Sequence, residues 1–184
     1  MSSVLNYKGK LLVSKPTLYD DFFHRSVVLI VEDNDAGTLG FILNKSLEKP
    51  VSNFISTIHK DNEVFEGGPV NQKNIYYFHS RPDIIENSIH LFDNYYWSGI
   101  FKDIKDAVNA EKITKDEIKF FLGYSGWEKE QLHEEVNNKS WIVMKDNSIN
   151  LLKKWDHNLW QRQLEKLGGE NLIWINTPKD PMLN

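Results

Sequence analysis

Five residues past the middle of the chain stand in the order that hydrolases use to present a nucleophile. Gly123-Tyr124-Ser125-Gly126-Trp127 follows an apolar run, "IKFFL", and precedes a charged segment, "EKEQLHEEVNN". A nucleophile elbow is G-x-S-x-G, with a glycine on each side so that neighbouring backbone can approach a strained turn. Here the second glycine falls one position early and Trp127 takes its place. Ser125-Gly126-Trp127-Glu128 matches S-x-x-E instead, the capping box that opens a helix. The spacing therefore predicts that Ser125 caps a helix. A pocket near Ser125 and Glu128 doing hydrolase-like chemistry is the alternative. A triad would also need a histidine and an acid. His133 lies along the same predicted helix as Ser125, and nothing in the spacing favours His157.

Other chemistry-bearing types are sparse. The histidines are His24, His59, His79, His90, His133 and His157, and no two share a metal-ligand spacing such as H-x-x-x-H. His24 and His79 are expected to pack at strand ends. "DNDAG", Asp33 to Gly37, begins like a calcium loop, but its glycine comes fifth rather than sixth and Asn44 stands where the twelfth-position Glu belongs. It is predicted to be a turn. "EGGPV", Glu66 to Val70, carries no nucleotide motif and reads as a structural turn, with backbone amides offered to a ligand as the alternative. Arg25 precedes the most apolar strand, where an arginine pairs with an acid, here Glu128, Asp20 or Asp21, or contacts an anionic ligand.

Composition narrows the class. The 184 residues are 40% hydrophobic and 26% charged, with six Trp, ten Phe and seven Tyr, which predicts a single domain, residues 1–184, with a substantial aromatic core. There is no cysteine, so disulfides, thiolate metal sites and a cysteine nucleophile are excluded. "MSSVLNYKGK" holds no long apolar core and no run approaches a bilayer's span, so a cytoplasmic protein without membrane contact is expected. The net charge is −4 and the basic residues, Lys153-Lys154, Arg162 and Lys166 among them, are scattered among acids. Direct nucleic-acid binding is not expected, since phosphate contacts need a basic face.

The elements that would position these residues follow from periodicity. "KLLVS", "RSVVLIVED" and "LGFILN" read as strands, the second buried on both faces and joined to the third by a tight turn. "VSNFISTIH" spaces Val51, Phe54, Ile55 and Ile58 as one helical face. "EVFE", "NIYYFHS" and the pair around Asp93-Asn94 read as strands, and "FKDIKDAVNAEK" as an amphipathic helix. "IKFFLGYS" is a strand, "WEKEQLHEEVNN" a helix, "SWIVMK" a strand, and "WDHNLWQRQLEKLGG" a helix stopped by Gly168-Gly169. "NLIWIN" reads as a last strand before a proline-punctuated tail. Without regular βαβ alternation, the pattern is α+β with a mainly antiparallel or mixed sheet.

"GKLLVSKPTLYDDFFHRSVVLIVEDNDAGTLGFILNK", "FEGGPV", "FFLGYSGWEKEQLHEEV", "SWIV" and the ending "NTPKDPMLN" together resemble the YqgE/AlgH family, in order and over nearly the whole chain. The resemblance implies a bifurcated sheet curling into a pseudo-barrel flanked by helices. It implies no established activity or cofactor, since members carry only the name of transcriptional regulators or none. Asp33 stands where the family has a histidine. The family accepts alanine at the Ser125 position, which argues against an obligatory nucleophile. The expected function is a non-catalytic binding or regulatory protein, acting through a small ligand or a protein partner. The family-matching residues that would line its site are Arg25, Ser26, Asn44, Gly67, Gly68, Pro69, Tyr124, Trp127 and Gln131, polar or backbone-exposing positions at strand ends and turns.

Overall fold

A computed structural model describes residues 6–18, 20–145, 149–153, 155–156 and 158–176. His157, Lys154 and the tail 178–184 lie outside those residues. The described strands form one ten-stranded sheet. Strands β1 (Leu11–Ser14), β2 (Val27–Asn34) and β3 (Gly37–Ile42) make an antiparallel meander, with β4 (Ser46–Pro50) beyond it. β5 (Glu63–Glu66), β6 (Val70–His79), β7 (Ile89–Phe92) and β8 (Tyr95–Trp97) follow, then helix α1 (Phe101–Asn109). The long β9 (Ile118–Trp127), helix α2 (Gln131–Asn137), β10 (Trp141–Val143) and helix α3 (Leu159–Leu167) complete the chain order.

β9 organises everything else. One edge pairs antiparallel with β6. The other is divided: Phe120, Phe121 and Leu122 pair with β5 in parallel, and Ser125, Gly126 and Trp127 pair with β3. The sheet is therefore bifurcated, as expected, and almost wholly antiparallel. It stays open, running from β10 at one end to β7 at the other, with β4 ending the branch.

Hydrophobic burial explains why these segments became strands. β2 alternates between two cores: Val27, Leu29 and Val31 face one, Val28 and Ile30 the other, and all five are fully buried. The main core centres on stacked Phe41, Phe121 and Phe78, with ring centroids 4.8 and 5.5 Å apart, under Trp160 and Leu164 of α3. A second core lies under α1, which buries Ile104, Ala107 and Val108 against Val64, Ile118 and Phe120. Phe101, at helical spacing with those residues, is 41% exposed. The third core places Leu132 of α2 against Trp127 and Trp141. α3 ends at Gly168, as its Gly-Gly pair predicts, but with φ 63° and ψ −162°, a conformation open to glycine and outside the left-handed helical cap expected.

Two expected elements differ. "VSNFISTIH" is one 3-10 turn, Val51–Asn53, followed by turns. Burying Val51 and Ile58 in the second core needs only that turn, and the Val51 amide donates to the Asn62 carbonyl across the β4–β5 connection. "NLIWIN" is not a strand but part of the 3-10 segment Gly169–Trp174, with Leu172 and Ile173 exposed. Its β-favouring residues find no strand partner, so local i→i+3 bonding takes over.

Candidate functional site

Where β9 leaves β5 to join β3, the Gly67-Gly68-Pro69 segment crosses it at contact distance. A Cβ on Gly67 would lie 2.1 Å from the Gly123 carbonyl oxygen, and one on Gly68 2.4 Å from the Ser125 nitrogen. Gly123 itself has φ 67°, and a Cβ there would meet the carbonyls of Gly68 and Val70 at 2.6 and 2.7 Å. Gly67 and Gly68 of "EGGPV" and Gly123 of "LGYSG" are thus one structural requirement seen twice in the sequence: two backbones touching at a fork.

Ser125 lies inside this fork and not at a helix start. It pairs with Gly40 of β3, is fully buried, and donates its hydroxyl to the Gly67 carbonyl at 3.0 Å. The capping-box expectation is overturned. Pairing with β3 carries the strand through Trp127, and α2 opens only at Gln131, after Glu130 in a left-handed conformation and with no side-chain cap. The Glu128 amide donates to the Gln131 side chain instead, at 3.0 Å. The elbow alternative fares no better, because a buried hydroxyl bonded to a carbonyl has neither access nor a base.

The nine predicted binding residues separate into three groups. Ser26 is fully buried. Its amide donates to the Ser14 hydroxyl at 2.8 Å and its own hydroxyl donates to the Phe22 carbonyl at 2.9 Å. Asn44 accepts from the Val27 amide and donates to the Arg25 carbonyl, each at 2.9 Å. Arg25, at φ 52°, places its guanidinium 5.1 Å from the Trp160 ring centroid, and burial lowers its pKa. Asn44 thus ties the start of β2 to the segment after β3, while Ser26 ties it to β1. Gly67, Gly68 and Pro69 make the fork. Tyr124, Trp127 and Gln131 line an open cleft, of about 510 Å3, together with Thr38, Val70 and Gly126.

Glu135 holds that cleft in shape, and the sequence reading did not single it out. Its carboxylate accepts from the indole nitrogens of Trp127 and Trp141 at 2.9 and 2.8 Å and from the Gln131 amide at 3.0 Å. An acid one helical turn beyond Gln131, near two tryptophans, was the available signal. The turn expected of "DNDAG" is Asp35-Ala36, and Asp33 at the end of β2 accepts from the Tyr7 amide and the Thr38 hydroxyl. His79 sits at the end of β6, fully buried, with Nε2 3.1 Å from the Ser98 carbonyl, and desolvation lowers its pKa. Among the described residues no three His, Asp or Glu side chains gather as a metal site.

A second cavity, of about 540 Å3, escaped the sequence reading altogether. It is lined by Phe65, Ile118, Lys119 and Leu152, with charged residues at its rim. Lys119 lies on the same strand as Ser125, is only 4% exposed, and its Nζ has no hydrogen-bond partner among the described residues. The ammonium position is 4.5 Å from the Phe65 ring centroid and 5.0 Å from that of Trp155. Burial pushes its pKa down to about 7, against the opposing pull of Glu63 and Asp116.

Comparison with known proteins bears on the whole chain. The sequence profile of the AlgH-like family matches residues 11–172. A protein of Cytophaga hutchinsonii named only as a UPF0301 protein is 39% identical over 180 residues, covering 96% of this chain and 98% of the relative. A UPF0301 protein of Parabacteroides distasonis is 35% identical over 186 residues, covering all of this chain and 94% of the relative. Among solved structures, protein DIP2367 of Corynebacterium diphtheriae superposes with a TM-score of 0.75 at 20% identity, covering 96% of this chain and 95% of the other. The solution structure of the AlgH protein of Pseudomonas aeruginosa does so with 0.73 at 20%, covering 97% of each. At that identity the likeness speaks to the fold.

Proposed function

The chain belongs to the AlgH-like family, and on that premise we propose that it is a cytoplasmic, non-catalytic binding or regulatory protein whose ligand seats in the cleft of Tyr124, Trp127 and Gln131. The observation that carries this reading is the contrast within one strand. Tyr124 and Trp127 line an open cleft, while the one residue that suggested catalysis between them is sealed beneath it. Glu135 braces Trp127 and Gln131 from behind, which pre-forms the cleft. The floor is mixed: aromatic faces for a planar or apolar group, and the Gln131 amide for a polar one. Regulation, where the protein exerts it, runs through such a ligand or a protein partner rather than DNA. The net charge of −4 and the acidic helix α2 both oppose phosphate contact.

The test is an amide and indole NMR titration with a library of small aromatic amides. Shifts concentrated at Tyr124, Gly126, the Trp127 indole and Gln131, and lost in Gln131→Ala, are the expected result. Shifts confined to other surfaces would sink the reading. A duplex DNA titration run alongside is expected to give no salt-sensitive binding. A steep fall of affinity with salt would show the DNA alternative to be the better one.

A further inference from the structure

Lysine is a poor choice for the place that Lys119 holds. Its neighbours Ile118, Phe120 and Phe121 are buried, and so are the facing residues Phe65 and Leu152. An ammonium taken from water into such surroundings without a hydrogen-bonded counter-charge costs several kcal/mol, and the group sheds its proton instead. A methionine or leucine would fill the space without that cost. The side chain is therefore an uncharged amine for much of the time near neutrality, set beside a cavity of about 540 Å3, a size that holds small ligands.

The rim says what such a ligand carries. Glu48, Asp61, Glu63 and Asp116 outnumber Lys49 and Lys115, and Lys115 is already paired with Asp61 at 2.7 Å. Glu63 also accepts a hydrogen bond from the Ser46 hydroxyl. An acidic mouth repels free anions, so the amine is badly placed to hold a carboxylate or phosphate. It is well placed to meet an uncharged electrophile whose body suits the apolar walls.

We propose that Lys119 is a Schiff-base-forming residue, and that the chamber it lines captures small uncharged aldehydes or ketones reversibly. The amine lone pair attacks the carbonyl carbon, a C–N bond forms, and the oxygen becomes a hydroxyl. The amine's two protons then leave with that oxygen as water, giving the C=N bond of an imine. No electrons are exchanged, and water reverses the step. Desolvated lysines of low pKa are the ones that react in this way. Phe65 and Trp155 lie against the nitrogen, so entry of the carbonyl carbon requires the Trp155 ring to give way. This inference stands apart from the Tyr124 cleft and survives or fails without it.

The experiment treats the full chain at pH 7 with propanal and cyanoborohydride, which fixes any imine as an alkylamine, and maps the modified lysines by peptide mass spectrometry. At pH 7 an amine with pKa near 7 is about half free, against roughly one part in 3,000 for an ordinary lysine, so Lys119 is expected to react at least about tenfold faster than surface lysines. Its rate should level off above pH 8, where surface lysines are still accelerating. Trp155→Ala should raise the Lys119 rate severalfold and leave the others unchanged. Anionic glyoxylate, compared with propanal, should favour surface lysines. Lys119→Met should retain cooperative melting and lose the fast site. The proposal is overturned if Lys119 reacts no faster than surface lysines in both the native chain and Trp155→Ala. A preference of Lys119 for glyoxylate over propanal would overturn the choice of an uncharged ligand.

Discussion

The fork around Gly123 and the chamber around Lys119 share strand β9, and they treat polar atoms in opposite ways. In the fork the Gly67 carbonyl accepts from both the Ile42 amide and the Ser125 hydroxyl, each at 3.0 Å, and the glycines are held against one another. In the chamber an amine lies among aromatic rings, its nitrogen without a hydrogen-bond partner among the described residues. The conspicuous motif is conspicuous because backbone contact tolerates so few residues there. The inconspicuous lysine is where chemical capacity is left over. In this chain a memorable sequence pattern marks a constraint on packing, and reactivity sits where a rule of burial is broken.

The sharpest break of that comparison is Gly67→Ala. Its methyl would lie 2.1 Å from the Gly123 oxygen, so one of the crossing backbones must move and the β5–β9 and β3–β9 pairings cannot both persist. A loss of about 4 kcal/mol or more is expected, enough to leave little folded protein. Urea unfolding measures it. A native-like midpoint would mean that the fork is soft and its glycines incidental.

Lys119→Met should act in the opposite direction. In the fold the lysine's pKa is about 7, against 10.5 for an ordinary side chain. Between those values the unfolded chain holds a proton that the folded chain has released, so stability rises with pH across that window. Below about 7 both states hold it, and the burial penalty is felt in full. Methionine removes the penalty, so the variant should be more stable by about 2–4 kcal/mol at pH 6, with the gap closing as pH approaches 10. Paired denaturant curves at the two pH values read it. A constant gap would place the charge in water.

Glu135→Ala is the intermediate case. It leaves the buried indole N–H groups of Trp127 and Trp141 without their acceptor, and should cost about 2–3 kcal/mol while shifting tryptophan emission. An unchanged spectrum with unchanged stability would show that the cleft has no brace.

How far the sequence could be read varied with what local pattern encodes. The β2–β3 hairpin, α1 and α3 were legible because alternation or a 3.6-residue period coincided with burial. The bend after β9 was not, because S-x-x-E fits a cap equally well whether or not another strand waits to pair with the same residues. "VSNFISTIH" satisfied helical spacing, yet a single 3-10 turn was enough to bury Val51 and Ile58. Of the expected site residues, Tyr124, Trp127 and Gln131 lie together on one cleft, while the polarity of Ser26 and Asn44 is taken up internally. Lys119 went unnoticed since a lysine in a strand ordinarily faces water. Its burial depends on Leu152 and Trp155, distant in sequence, closing over it.

Ser125→Ala should give the smallest effect, and it cuts most cleanly between the two regions. The hydroxyl's single bond is to the Gly67 carbonyl, which keeps the Ile42 amide as a second donor when the serine is gone. No buried acceptor is orphaned, and the loss should stay near 1 kcal/mol. Alanine also keeps the strand's volume beside Gly68, where a larger residue would collide with the crossing backbone. The variant should therefore melt only a few degrees early, react with propanal at Lys119 as fast as the native chain, and bind in the Tyr124 cleft unchanged. Were the serine a nucleophile, this same substitution would abolish the protein's cellular role while leaving its melting nearly intact. Complementation of a deletion strain by Ser125→Ala, set beside Lys119→Met, thus reports whether the serine hydroxyl or the lysine amine is needed for the function.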